Sequence, residues 1–186
     1  MAEREISERF RAALRAQEWS GRTSEELERD RWKSVAADVF SEFDGDFDAV
    51  FNDLWVHFGD SQNWKVYDDA IQTWHQIEAA GLRIGIASNF DKRLLDVARE
   101  LEPLNRACHI FCSSEVGYSK PSPEFFRAVQ DQLGLAPDEI MLVGDNWEDD
   151  VEGARAAGWR AVHLDRNVGP DEGAVGSLLD VIPLIG

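Results

Sequence analysis

The chain has little that would suit a secreted, zinc-stapled or membrane-spanning protein. Only two of its 186 residues are cysteine, Cys108 and Cys112, and no histidine or second cysteine pair stands at zinc-ligand spacing from them. We therefore expect reduced thiols in or beside a strand. No apolar run approaches the roughly 18 residues that a membrane helix needs, and the first ten residues lack the apolar segment of a signal peptide. The expected location is the cytoplasm.

Positive charge is also scarce. The sequence has 19 lysines and arginines against 36 aspartates and glutamates, which gives a formal net charge of -17. Such an acidic surface repels nucleic-acid backbones and anionic membranes, so neither is expected as a partner. It repels phosphorylated small molecules as well. A phosphate site in this chain would need local positive charge and a metal ion.

Hydrophobic residues make up 44% of the sequence, enough for the core of one domain with a small subdomain. The pattern changes near residue 65 and divides the chain into 1–66 and 67–186. Apolar residues at helical spacing predict three helices in the first part, the second after the capping pattern Thr23-Ser24-Glu25-Glu26 and the third over 47–58. Five of the seven tryptophans lie in the first 74 residues, where they are expected to form the core of a helical bundle.

From Asp68 onward, helical and strand patterns alternate. The predicted strands are 82–87, His109–Cys112, 140–143 and 161–164, and the predicted helices are 70–80, 91–101, Pro123–Leu133 and 148–157. This alternation, with glycine after several helices, predicts an α/β fold with a Rossmann-like parallel sheet and right-handed crossovers. Residues 167–172 are expected to form a loop, and 174–185 a terminal apolar segment.

Polar residues follow the predicted strands. Ser88 and Asn89 end the run IGIASN, Lys120 precedes Pro-Ser-Pro, Asp145 follows Val-Gly, and Asp150 opens the next helix. Because the carboxyl ends of parallel strands meet at one edge of a sheet, these side chains are expected to converge on one crevice. The Ser88 hydroxyl and the following N–H groups can donate to a phosphoryl oxygen. Two carboxylates are the hard oxygen ligands that Mg²⁺ prefers.

Each of these positions also has an ordinary explanation. A Ser-Asn pair at a strand end is often a turn, a lone loop lysine is usually solvated, and residues 148–150 suit the positive end of a helix dipole. The dipole accounts for Asp149, but it does not account for Gly144-Asp145 at a strand end. Each segment alone is weak evidence for a phosphate site. The evidence becomes strong because the segments with Ser88, Lys120 and Asp145 follow one another in this order, each at a predicted strand end or in the loop that follows one.

Residues 84–89 (IGIASN), 120–126 (KPSPEFF) and 140–150 (IMLVGDNWEDD) resemble motifs two, three and four of the haloacid dehalogenase-like hydrolase superfamily. The resemblance covers nearly the whole chain and is with the subgroup that carries a helical cap, with residues 1–64 similar to the later cap helices. It implies a two-step phosphoryl transfer, in which an aspartate attacks phosphorus and water then hydrolyses the aspartyl-phosphate.

The resemblance also implies roles for single residues. Ser88 and Lys120 would be catalytic and would bind the phosphoryl group together with Asn89, and Lys120 would neutralise developing charge. Asp145 would hold Mg²⁺, with Asp150 supporting either the metal or Lys120. The implied cofactor is Mg²⁺ and the implied partner is a small phosphorylated substrate. Neither the substrate nor the oligomeric state, for which a homo-oligomer is one option, can be read from the sequence.

The first motif of the family, a strand ending in Asp-x-Asp-x-Thr or Ser that supplies the nucleophile, has no match in this sequence. The run Asp44-Gly45-Asp46-Phe47-Asp48 lacks the Thr or Ser and follows a helical pattern. Because the missing strand would be the middle one, strands 82–87 and 140–143 are expected to border a gap. Direct pairing of these strands, cover from a second chain, or a longer natural protein are the three ways to close it.

Two functions follow from these observations. The first is a Mg²⁺-dependent phosphatase of small phosphorylated metabolites, inactive as this chain because the nucleophile is missing. The second is a non-catalytic relative that keeps a phosphate or Mg²⁺ pocket for binding or assembly. A receiver-like domain also uses Asp, Ser and Lys, but its acidic cluster comes first in the chain, whereas here the order is Ser, Lys, Asp.

Overall fold

A computed structural model describes residues 3–17, 21–167 and 173–185. Its α-helices are α1 (Glu3–Ala16), α2 (Glu25–Val39), α3 (Phe47–His57), α4 (Asp68–Ala79), α5 (Arg93–Glu100), α6 (Ser113–Val116), α7 (Pro123–Leu133) and α8 (Gly153–Ala156). Its strands are β1 (Gly85–Ser88), β2 (His109–Cys112), β3 (Met141–Gly144) and β4 (Arg160–His163). A π-helical turn covers Trp147–Glu152, and 3₁₀ turns cover Ser61–Asn63, Leu104–Arg106, Pro137–Glu139 and Leu178–Leu184. None of the helices in the described part of the chain is long and apolar enough to cross a membrane.

Side-chain caps fix the starts of the first-part helices. The Ser24 hydroxyl accepts the N–H of Leu27 at 3.2 Å at the start of α2, and Asp46 accepts the N–H of Ala49 at 3.1 Å at the start of α3. Such caps satisfy N–H groups that have no partner within the helix. The Asp44–Asp48 run therefore has a structural purpose, because its middle aspartate caps a helix.

The segment between α1 and α2 is joined to the second part of the chain. Arg22 forms an isolated antiparallel bridge with Tyr118, outside any strand. Next to it, the carboxylate of Glu28 on α2 is fully buried and accepts the Thr23 hydroxyl at 2.7 Å and the Ser113 hydroxyl at 2.9 Å. These contacts fix α2 against the start of α6. The division at residue 66 stays a prediction.

The strands form two separate parallel pairs. β1 pairs with β2 in the register Ser88↔Cys112, and β3 pairs with β4 in the register Gly144↔His163. The fold class is therefore α/β with parallel strands, as predicted, but one continuous sheet is wrong for the described residues. β1 and β3 do not pair with each other there, and no strand of the described chain lies between them.

The inner edges of the two pairs can be identified from their hydrogen bonds. The carbonyl of Ile84 accepts the N–H of Cys108, and the carbonyl of Gly144 accepts the N–H of Leu164. Because successive peptide groups along a strand point to opposite sides, those of Gly85 and Ala87 point away from β2. By the same alternation, those of Met141 and Val143 point away from β4. These four peptide groups form the unpaired edges of the strands.

The main hydrophobic core packs α7 against β2, β3 and α8. Its buried residues are Phe111, Phe125, Phe126, Val129, Ile140, Ala154 and Trp159. The rings of Phe126 and Trp159 meet edge to face with centroids 5.2 Å apart, which is one of the arrangements that aromatic pairs prefer. A smaller cluster of Ala13, Val35 and Val39 joins α1 to α2.

Two other expectations can be compared with the structure. Both cysteines are free thiols, as predicted, and burial raises the pKa of Cys112 to about 12. The prediction that the first five tryptophans lie in the core of a helical bundle is wrong for Trp64, which is 37% exposed. Trp19 and most of the predicted loop 167–172 lie outside the described residues. Within the terminal segment, the described residues form the 3₁₀ turn Leu178–Leu184.

Candidate active site

Lys120 lies at the centre of the candidate site. Its ammonium group donates to the backbone carbonyl of Ala87 at 3.1 Å and to Oδ1 of Asp150 at 2.5 Å. The residue is only 7% exposed. One contact lies on the inner edge of β1 and the other lies just beyond β3. The lysine side chain therefore bridges the two strand pairs.

Local structure holds Lys120 in this position. The amide of Asn89, which follows β1, accepts the backbone N–H of Lys120 at 2.8 Å and donates to its carbonyl at 2.9 Å. On the other side, Ser122 caps α7 and Pro123 occupies its first turn. Since the Asn89 amide oxygen and one of its two side-chain N–H donors are engaged, the other side-chain N–H and the backbone N–H are left to serve the predicted phosphate contact.

Asp150 is committed to Lys120 and to a backbone turn. Its Oδ1 pairs with the ammonium group, and its Oδ2 accepts the N–H of Asn146 at 3.1 Å. A Cβ atom at Gly144 would overlap the Asp150 carboxylate, so the absence of a side chain at Gly144 makes room for the acid. Of the two supporting roles expected for Asp150, these contacts favour the one toward Lys120.

Asp145 differs from its neighbour because its side chain is exposed. Its backbone carbonyl lies 3.3 Å from Nε2 of His163, and its carboxylate has no hydrogen bond or ion pair within the described residues. Nearby, burial and then the charge of Asp150 raise the pKa of Asp149 to about 6. Asp145 is thus the carboxylate that is open to a ligand.

The donor set fits Mg²⁺ only with help from other ligands. Across the described ranges, no group of three or more His, Cys, Asp or Glu side chains is arranged to hold a metal ion. Mg²⁺ commonly takes one or two protein carboxylates and completes its octahedron with water and substrate phosphate. The open carboxylate of Asp145 suits that pattern, whereas both oxygens of Asp150 are already engaged.

Ser88 ends β1 next to the carbonyl that Lys120 contacts. Its hydroxyl is half-buried and has no hydrogen bond among residues 3–17, 21–167 and 173–185. The first N–H groups of α5 and its cap are not free, because Lys92 donates to Glu25 at 3.1 Å and Arg93 donates to Asp91 at 3.1 Å. An anion at this edge would therefore meet the Ser88 hydroxyl rather than the start of the helix.

The structure brings the end of β1, Lys120 and Asp150 together at one edge of the strand pairs. Asp145 directly precedes Asn146, whose backbone N–H binds Asp150. Residues 2–158, which include all three motif segments, match the sequence model of the haloacid dehalogenase-like hydrolase family. The chain belongs to this family. The catalytic, phosphate-binding and metal-binding roles of the individual side chains stay predictions.

Curated relatives agree with the family. A haloacid dehalogenase-like hydrolase domain-containing protein 3 from Danio rerio is 31% identical over 122 residues, covering 66% of this chain and 50% of that protein. A phosphoserine phosphatase from Thermus thermophilus is 35% identical over 119 residues, covering 62% of this chain and 47% of that protein. The chain thus spans about half the length of these relatives.

A solved haloacid dehalogenase-like hydrolase supports the fold. The hydrolase YfnB of Bacillus subtilis, whose crystal structure is described as bound to magnesium, superimposes with a TM-score of 0.73. The match covers 100% of this chain and 84% of that one, at 15% identity. At this identity the likeness is one of fold. The haloacid dehalogenase-like arrangement thus extends over the whole described chain.

Sequence reasoning missed two parts of this haloacid dehalogenase-like site. Asn146 caps the π-helical turn, accepting the N–H of Asp149 at 3.0 Å, and its own N–H binds Asp150. An asparagine three residues before an acidic residue at a helix start is a capping pattern that would have indicated the first contact. The Ala87 carbonyl was missed because backbone contacts over 33 residues leave no trace in the sequence.

Proposed function

We propose that this chain forms the core of a Mg²⁺-dependent phosphatase that acts on small phosphorylated metabolites. The observation that carries the proposal is the buried ammonium group of Lys120, held between the Asp150 carboxylate and the carbonyl of Ala87, the residue before Ser88. Two of its three N–H donors are engaged, so the third is available to a phosphoryl oxygen. The relation to a phosphoserine phosphatase supports the same reaction class.

In this proposal each side chain has one task. Ser88 donates its hydroxyl to a phosphoryl oxygen, and Lys120 places positive charge where negative charge develops in the transition state. Asp150 holds the lysine in position through the 2.5 Å ion pair. Asp145 would hold Mg²⁺, which when bound supplies a Lewis acid for the phosphoryl oxygen. Lys120 and a bound Mg²⁺ would supply the local positive charge that a protein with a net charge of -17 needs in order to hold a phosphorylated substrate.

We further propose that the attacking aspartate comes from a parallel strand between β1 and β3, outside the segments that match motifs two to four. The outward-pointing peptide groups of Gly85 and Ala87 on one side, and of Met141 and Val143 on the other, offer an inserted strand two edges to pair with. Without that strand the covalent step is missing. The 186 residues alone are expected to hydrolyse phosphomonoesters at background rate.

The test compares the 186-residue chain with a version extended at its amino terminus by a strand ending in Asp-x-Asp-x-Thr. Both are assayed with Mg²⁺ and a panel of phosphomonoesters. Turnover should appear only in the extended protein and should disappear when the first aspartate of the added strand becomes asparagine. Mg²⁺-dependent turnover by the 186-residue chain that Asp145→Ala abolishes would show that the nucleophile lies within it.

A non-catalytic binding module is the second candidate. It is favoured by the exposed Asp145 carboxylate and the Ser88 hydroxyl, which have no hydrogen bond within the described residues and can bind Mg²⁺ or phosphate without a nucleophile. An extended protein that binds inorganic phosphate but stays inert on a broad substrate panel would support this candidate over the phosphatase. In that case Ser88→Ala should weaken phosphate binding, whereas Ser41→Ala, at an exposed position just after α2, should leave it unchanged.

A further inference from the structure

A buried carboxylate on α2 is connected to both loops that lead into the candidate site. Glu28 is fully buried, and its Oε1 accepts the hydroxyl of Thr23 at 2.7 Å and that of Ser113 at 2.9 Å. The same oxygen accepts the guanidinium group of Arg31 at 3.1 Å. One oxygen atom therefore holds donors from α2, from the segment before it and from the start of α6.

The Ser113 contact continues to the segment that follows β1. The hydroxyl of Ser113 lies 3.2 Å from the backbone carbonyl of Phe90 as well as against the carboxylate. Phe90 directly follows Asn89, whose side-chain amide makes two hydrogen bonds with the backbone of Lys120. Ser113 thus links Glu28 to the segment that holds the lysine from one side.

The Thr23 contact leads to the residues just before the lysine. The N–H of Thr23 donates to the carbonyl of Gly117 at 3.1 Å, and the carbonyl of Gly21 accepts the N–H of Ser119 at 2.7 Å. Ser119 is fully buried and directly precedes Lys120. The segment held by the buried carboxylate is therefore hydrogen-bonded to the loop from which the lysine emerges.

Stability alone does not account for this carboxylate. Oε2 of Glu28 is also buried, and it has no hydrogen-bond partner among the described residues. A buried acceptor without a partner costs stability, and apolar side chains of similar volume often replace buried ion pairs without any loss. An apolar side chain cannot, however, direct two hydroxyl groups to one point. The contacts of Glu28 are therefore better explained by the position that they impose on the two loops.

We propose that Glu28 is a positioning residue for the phosphoryl transfer, which sets the Lys120 ammonium group relative to Ser88. It does so by holding residues 117–119 and Phe90 in place together, and it acts only through them. This inference rests on the proposed phosphatase function. Because a displacement of about 1 Å at a reacting group can cost a factor of about 100 in rate, loosening either loop should weaken the site.

Two substitutions of Glu28 distinguish positioning from packing. Glu28→Gln keeps an oxygen that accepts the two hydroxyls, whereas Glu28→Met keeps the length of the side chain but removes the acceptor. The matched control is Val181→Ala, at a residue that is 2% exposed in the turn Leu178–Leu184, where a smaller side chain should lower stability without contact to either loop. Urea unfolding gives the stability that each variant loses.

The 186-residue chain is sufficient for the measurement. All four lysines of the sequence lie in the described ranges and only Lys120 is buried, so NMR with isotope-labelled lysine can follow its ammonium signal separately. Calorimetry with Mg²⁺ present measures the binding of inorganic phosphate. We expect Glu28→Met to shift the Lys120 signal and to weaken phosphate binding at least about tenfold. Glu28→Gln should keep the signal and bind phosphate within about twofold of the wild type, and Val181→Ala should leave both unchanged.

Three results would overturn the inference. The first is an unaltered Lys120 signal and phosphate affinity in Glu28→Met. The second is an equal loss in Val181→Ala, because the effect would then follow stability alone. The third is an equal loss in Glu28→Gln, because the acceptor oxygen would then be irrelevant.

The phosphatase proposal can fail separately. If the wild type does not bind inorganic phosphate, the phosphate site is refuted, while the ammonium signals of the variants still decide whether Glu28 positions Lys120. If Glu28→Met does not fold, Thr23→Val takes its place, since it removes one of the two hydroxyls that the carboxylate accepts. It should shift the Lys120 signal in the same direction, and an unmoved signal would overturn the inference.

Discussion

The buried ion pair between Lys120 and Asp150 makes a quantitative prediction. The two residues are 7% and 6% exposed, and each has one further hydrogen bond, to Ala87 O and from Asn146 N respectively. Removing one member leaves the other as an uncompensated buried charge, which costs about 3–5 kcal/mol. We expect Lys120→Met and Asp150→Asn each to lower the free energy of unfolding by about that amount.

The double variant distinguishes pairing from simple packing loss. Once both charges are gone, no unpaired charge remains, so Lys120→Met combined with Asp150→Asn should cost clearly less than the sum of the single changes. The measurement is urea unfolding of all four proteins at pH 7. An exposed pair serves as the control: Arg99 and Asp96 are both 74% exposed, and Arg99→Met should change stability by less than about 1 kcal/mol.

Two results would refute this reasoning. Single changes that cost no more than Arg99→Met would mean that water reaches the Lys120 ammonium group. Strict additivity of the two changes would mean that the residues do not act as a pair, in spite of the 2.5 Å contact.

Three further predictions concern other sites. Gly144→Ala should lower the free energy of unfolding by about 1–3 kcal/mol in urea, because the added methyl group overlaps a buried carboxylate; an unchanged midpoint would contradict this. Hydrogen bonds from Arg166 are the main cause that lowers the pKa of Asp69 to about 2, so its contribution of about 1–2 kcal/mol is present above about pH 4 and is lost toward pH 2. The stability difference between wild type and Asp69→Asn should therefore shrink over that range, and a constant difference would exclude the linkage. Iodoacetamide should label exposed Cys108 but not buried Cys112 in the native protein, as read by mass spectrometry, and double labelling would contradict its burial.

Local sequence patterns predicted the elements whose ends are set by neighbouring residues. Helix Pro123–Leu133 is confirmed at both ends, because Ser122 caps its start and Gly134, with φ of 65°, ends it. Strand His109–Cys112 is also confirmed. The first core strand begins three residues later than predicted, since Gly81, with φ of 76°, ends α4 and Leu82 still bonds back to Ile77.

The features that were not predicted depend on contacts between distant residues. The division into two strand pairs follows from which edges find partners, and apolar runs do not encode that choice. The structure brings Lys120 and Asp150 together at the end of β1, while the roles of the candidate site residues stay predictions. The sequence left open whether Asp150 serves the metal or Lys120. Only the 2.5 Å contact across 30 residues favours the lysine. The apolar cavity of about 320 Å³ that is lined by residues of the first three helices was also not predicted. Apolar residues at helical spacing are the same whether they fill a packed core or surround a cavity.

The alternation of peptide groups along β1 and β3 also governs how the backbone exchanges its hydrogens with solvent. The amides of Ile86 and Leu142 face partner strands, whereas those of Ala87 and Val143 face the unpaired edges. In deuterated water, neighbouring residues of one strand should therefore exchange at contrasting rates, since protection depends on a hydrogen bond that must open first. A strand that paired with both edges would make the fast positions slow and leave the slow ones unaltered. Exchange at single residues would thus record the arrival of such a strand before any chemistry takes place.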